Sequence, residues 1–187
     1  MDNESPWDRE TLRQQDSPQK PSNISYKLDP NIKWDENWTT ATTWGQLSAV
    51  SLDPTGNVGI FCRRERVWGQ STFSFDNKFD PRKGPILDNV IILLDKQGKI
   101  LLEWGRNTFY MPHGLTIDAD GNYWTTDVAM HMVMKFERKE IERNLEALRK
   151  EEASEPHEVD LDNLFKKSIV KPSLALGVPF EPGNDNQ

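Results

Sequence analysis

The sequence has little cysteine, little histidine, no long apolar run and a deficit of positive charge. Each shortage excludes something. With one cysteine in 187 residues, Cys62, an internal disulfide is impossible. Flanked by apolar residues, it reads as a buried strand thiol. There are three histidines; a zinc site takes three or four ligands, so no single histidine implies a metal. No apolar stretch approaches the ~20 residues that span a bilayer as a helix. Met1-Asp-Asn-Glu-Ser5 lacks a signal-peptide core, so any secretory signal is expected upstream in a longer product. The net charge of −7 and pI of about 5.0 argue against a nucleic-acid groove or an anionic membrane as main partner. Arg63, Arg64 and Arg66 form too short a cluster to reverse this.

What is present is a strand pattern with an internal repeat. Residues 109–135 read FYMPHGLTIDADGNYWTTDVAMHMVMK. His113 to Ile117 alternates apolar with small or polar residues, as a half-buried strand does. Asp118-Ala-Asp-Gly-Asn122 is a turn in which Gly121 and Asn122 tolerate positive φ. Tyr123 to Asp127 is aromatic and β-branched, and reads as a second strand. A third opens at Val133. The stretch from Ser48 to Asn57 repeats the one from His113 to Asn122 at a constant offset of 65 residues. A four-stranded antiparallel sheet of this kind is the unit of a β-propeller, whose repeat is usually ~40–50 residues. Residues 70–89, polar and containing Gly and Pro, account for the excess as an inserted loop.

The remaining segments follow in order. Residues 1–30 are polar and charged and are expected to be disordered. Residues 31–138 carry the first two propeller blades. Trp34, Trp38 and Trp44 at their start pack on the first blade or form its outer strand. Residues 90–104 are a hairpin that completes that blade. Residues 139–171 are a charged, partly helical insertion between blades, with Leu145 and Leu148 on one face and a further helical turn over 163–167. Residues 172–187 begin the next blade. At 187 residues the chain is short for a closed propeller, so it is expected to be a fragment of a longer protein.

The repeat frame resembles the NHL repeat. VSLDPTGNVGIFCRRERVW (50–68), FDNKF (75–79), FYMPHGL (109–115) and DGNYWTTDVA (120–129) resemble the peptidyl-α-hydroxyglycine α-amidating lyases, the second half of the peptide-amidating system. The resemblance covers residues 47–136 and resumes weakly at 174–183. It implies an all-β fold, with about two blades of a six-bladed parent, and a lyase that cleaves the N–Cα bond of a peptide ending in α-hydroxyglycine to give an amide and glyoxylate. It also implies zinc and calcium as cofactors, a secretory setting and a monooxygenase domain in some longer products. The alternative is a non-catalytic NHL-type scaffold that binds protein partners, although Met-Pro-His-Gly-Leu is not required by a scaffold.

Site residues follow from the resemblance. His113 is one of three zinc-binding histidines, the other two belonging to blades beyond this chain. Val50 and Leu115, equivalent in the two repeats, offer backbone carbonyls to a calcium on the channel axis. Arg63 assists the reaction by stabilising negative charge. The family tends to His-Arg-Gly there, whereas this chain has Cys62-Arg63-Arg64. From the residues alone, Arg63 reads as a surface arginine. His131 and His157 read as solvated, and Asp53, Asp118 and Asp127 as turn or cap residues. Asn23-Ile-Ser25 and Asn37-Trp-Thr39 are glycosylation sequons.

Overall fold

The computed structural model describes residues 29–33, 35–39, 43–153 and 170–183. The chain divides into a unit over residues 1–35 and a unit over 36–187. In the first, the described residues form a turn at Asp29, whose carboxylate accepts from Asn31 N at 2.8 Å. The expected disorder of residues 1–30 falls almost wholly outside the described residues.

The second unit is mostly strand. Two four-stranded antiparallel sheets follow one another, each with its strands in chain order. The first holds β1 (Leu47–Leu52), β2 (Val58–Cys62), β3 (Ile91–Leu94) and β4 (Ile100–Trp104). The second holds β5 (Pro112–Ile117), β6 (Tyr123–Asp127), β7 (Met132–Phe136) and β8 (Leu174–Leu176). Among the described residues one α-helix, α1 (Arg138–Ala153), lies between β7 and β8.

Three hairpins share one turn. Asp53–Asn57, Asp95–Lys99 and Asp118–Asn122 each close with the Gly N–H donating to the Asp carbonyl, at 2.9, 3.0 and 2.9 Å. In each, one carboxylate oxygen accepts from backbone N–H groups two and four residues ahead. The glycines have φ of 84°, 78° and 81°, the left-handed region that other residues enter at a cost of roughly 1 kcal/mol. Sequence had shown the repeat at two of these turns; the backbone adds the third.

Strand alternation puts two apolar faces on the first sheet. Phe61, Ile91 and Trp104 join Leu115, Ile117, Tyr123 and Phe136 of the second sheet in the main core. Trp104, almost fully buried, meets Tyr123 and Phe136 edge-on at 5.3 and 5.0 Å. Such contacts add about 0.5–1.5 kcal/mol each beyond burial. The opposite face of the first sheet, with Ile60, Cys62, Ile92 and Leu94, is covered by Trp44 and Trp38. These two tryptophans therefore pack on the sheet, one of the expected alternatives; Trp34 lies outside the described residues.

Four expectations need correction. The strand expected to begin the next blade over 172–187 does not do so: β8 pairs with β7, from Val133↔Leu176 to Lys135↔Leu174, and is the second sheet's fourth strand. The helical insertion therefore interrupts one sheet and does not separate two. Its helix begins at Arg138, because Arg138 N donates to the Asn122 side chain and Ile141 is fully buried in the core. Residues 70–89 contain a short 3₁₀ turn at Pro81–Lys83, started by Asp80, and bury Phe79 and Ile86, so this stretch is more than a polar loop. The first hairpin ends with β2 at Cys62. The expected helical turn over 163–167 lies outside the described residues.

Candidate functional site

β1 and β5 are the adjoining edge strands of their sheets. Ile117 N donates across to Ser51 Oγ at 2.9 Å. Each strand carries a register shift at its start, between Leu47 and Ala49 in β1 and between Pro112 and Gly114 in β5. Ser48 and His113 are thus the bulged residues, at equivalent positions of the repeat. Bulges re-aim side chains and concentrate beside active sites. His113 is exposed and, with Ser48, lines an open cleft of about 490 Å³.

Arg63 follows β2 and is not a surface residue: it is 9% exposed. Its Nε donates to the carbonyl of Pro112 at 3.0 Å, next to His113. Its Nη1 donates to Gln46 Oε1 at 3.0 Å. Among the described residues Nη2 has no hydrogen-bond partner. Burial pulls the Arg63 pKa down and the nearby Asp127 carboxylate opposes this. Arginine nevertheless stays charged, leaving a fixed cation whose Nη2 N–H groups suit an anion.

Arg64 resolves the departure from His-Arg-Gly. It sits at φ 50°, the conformation that a glycine adopts freely. Three contacts hold it there: Nε to Asn89 O at 2.6 Å, Nη1 to Thr43 O at 3.3 Å and Nη2 to Glu103 at 2.9 Å. Gly45 bridges Arg64, and a Cβ on Gly45 would lie 1.9 Å from the Arg64 carbonyl oxygen. The turn that presents Arg63 is left-handed without a glycine of its own. Cys62 is fully buried, and burial pushes its thiol pKa up.

Trp68 and Gln46 had not been singled out. The Trp68 ring lies 5.0 Å from the Arg63 guanidinium carbon and 5.9 Å from the His113 ring. Its backbone N–H donates at 2.9 Å to the same Gln46 Oε1 that takes Arg63 Nη1. The one available signal was position, five residues past Arg63 within the resembling stretch.

Asp127 is buried and accepts four backbone N–H bonds: Tyr110 and Met111 at 2.7 and 2.9 Å, Ala129 and Met130 at 3.0 Å. Burial raises its pKa against the pull of these donors. It is the cap that holds the loop leading to His113. Asp53 and Asp118 are turn residues, as read. His131, in the β6–β7 turn at φ 54°, is half-buried rather than solvated; His157 lies outside the described residues.

The expected metal donors fare unequally. Among the described residues no three His, Cys, Asp or Glu gather, so these residues do not make a zinc site by themselves. Leu115 is two residues before Ile117, whose N–H faces β1; by strand alternation the Leu115 carbonyl lies on that same edge of β5, away from β6. Val50 holds the corresponding place in β1, with its side chain 61% exposed. Asn37 is exposed, and Asn23 lies outside the described residues.

No family model matches the chain. Known relatives do. Peptidyl-alpha-hydroxyglycine alpha-amidating lyase 1 of Drosophila melanogaster is 52% identical over 142 residues, 75% of this chain and 21% of that protein. Lyase 2 of the same organism is 52% identical over 104 residues, 54% of this chain and 26% of that protein. The peptidyl-glycine alpha-amidating monooxygenase of Mus musculus is 42% identical over 120 residues, 58% of this chain and 12% of that protein. The chain thus spans only a fifth to a quarter of the lyases it matches. A match of the first extent necessarily takes in Arg63 and His113, which sit mid-chain. This chain is a homologue of the peptidyl-alpha-hydroxyglycine alpha-amidating lyases and corresponds to a part of them.

Proposed function

We propose that the two sheets are consecutive blades of an NHL-type β-propeller, in a protein that releases glyoxylate from peptides ending in α-hydroxyglycine. Two sequential four-stranded sheets with adjoining first strands support the propeller. The observation that carries the activity is the convergence of Arg63 and His113 on Trp68, within a stretch similar to named lyases. In the reaction the N–Cα bond breaks, the hydroxyl loses its proton and becomes the aldehyde oxygen of glyoxylate, and the amide nitrogen gains a proton. The substrate's carboxylate suits Arg63 Nη2, the guanidinium nitrogen with no partner among the described residues, and a buried cation there also stabilises charge that develops as the bond breaks. His113 is proposed as one zinc ligand, and the Val50 and Leu115 carbonyls as calcium donors. A linked monooxygenase domain, a secretory location and glycosylation at Asn23 and Asn37 complete the proposal; the similarity to a mouse protein named as an amidating monooxygenase supports the first.

The test is glyoxylate release by a lyase-competent protein that contains this chain, supplied with an α-hydroxyglycine peptide. Arg63→Ala should lower kcat by about 10²–10³-fold, the usual cost of removing one charge-stabilising donor. His113→Ala should lower bound zinc and turnover together. Turnover unchanged in both variants would remove the reading.

A further inference from the structure

We infer that Trp68 is a positioning residue that sets Arg63 and His113 relative to one another; this rests on the proposed lyase site. The two groups come from different sheets, so neither strand ladder fixes their relation. Trp68 touches both. Its indole lies under the guanidinium at 5.0 Å and meets the imidazole at 5.9 Å with planes 53° apart. Phe73 backs the indole at 5.3 Å. The Trp68 backbone is tied to Gln46 Oε1, which also holds Arg63 Nη1. Arg63 in turn grips the Pro112 carbonyl, at the bulge that presents His113. The indole therefore closes a ring of contacts around the site. Cation–π attraction holds the guanidinium over the indole, while Nε and Nη1 make its hydrogen bonds. At 40% exposure, Trp68 contributes less to the core than a fully buried tryptophan would.

Two measurements test this. In the 187-residue chain, NMR of the Arg63 side-chain N–H and the His113 ring protons should show ring-current shifts that vanish together in Trp68→Leu and survive in part in Trp68→Phe. In a lyase-competent protein, Trp68→Leu should lower kcat at least about tenfold, with KM within about twofold, and Trp68→Phe should restore most of it. Misplacement by about 1 Å is enough for such losses. Arg63 and His113 signals that ignore both substitutions would overturn the placement. Unchanged kcat in Trp68→Leu would overturn the role. Absence of glyoxylate release from the unsubstituted protein would instead sink the lyase reading, and the NMR result would still decide whether Trp68 joins the two groups. Should the Leu variant fail to fold, the Phe variant alone must show partial shifts in both partners.

Discussion

Arg64 shows how a residue can occupy a place that suits glycine. Its φ of 50° costs roughly 1 kcal/mol for a residue with a Cβ, and its guanidinium offsets that through three contacts. The ion pair to Glu103 is partly screened from water, with the Arg64 side chain 13% exposed. Two substitutions separate backbone from side chain. Arg64→Ala and Arg64→Gly lose the same contacts, but only the glycine relieves the backbone. The glycine variant should therefore be the more stable by about 1 kcal/mol, or about 2–4 °C in Tm for a chain of this size. Equal Tm values would show that φ at this position carries no cost. Sequence reading identified the departure at Cys62 and Arg64 but not its resolution. The compensating partners, Asn89, Thr43 and Glu103, lie 21 to 39 residues away, where only the fold brings them close. Trp68 was illegible for the same reason: its importance lies in two partners from different sheets.

The aspartate turn is the element that repeats most faithfully. Asp118 receives backbone N–H bonds from Asp120 and Asn122, and side-chain N–H bonds from Asn122 and Trp124. Burial raises its pKa, but these donors outweigh burial and the net shift is downward. The folded chain thus binds the Asp118 proton less tightly than the unfolded chain. Its contribution to stability is present above the unfolded carboxylate value of about 3.9 and is lost as pH falls through the folded value. Asp118→Asn puts an amide N–H₂ where Trp124 and Asn122 donate. It should lower the urea midpoint at pH 7, and the gap to the unsubstituted chain should narrow below about pH 4. A gap that stays constant from pH 7 to pH 3 would refute the role of ionisation. This element was legible because its determinants are local: an aspartate, a glycine three residues on, and strand residues either side. The third copy escaped because Lys99 stands where the other two have asparagine. β8 was misassigned because its partner, β7, lies across the helical insertion, and sequence proximity says nothing about pairing over that gap.

At the scale of the whole molecule, the repeat makes a packing argument. Leu115 and Ile117 are 8% and 7% exposed because the first sheet covers them. Their counterparts one repeat earlier, Val50 and Leu52, are 61% and 60% exposed. The surface that one sheet supplies to β5 has no equivalent over β1 among the described residues. The same holds for chemistry: His113 stands on a bulge facing an open cleft, and among the described residues no three ligating side chains gather. A catalytic zinc takes three protein ligands and leaves one position for substrate. Charge stabilisation by Arg63 is also weakened wherever water has free access. The 187-residue chain by itself should therefore convert no α-hydroxyglycine peptide to its amide, even with zinc and calcium added. The measurement is glyoxylate release against a no-protein control, alongside a lyase-competent protein containing the same chain as positive control. Zinc-dependent turnover by the short chain would mean that its own residues, or those of a second copy, complete the site, and the assignment of His113 as a lone ligand would fail.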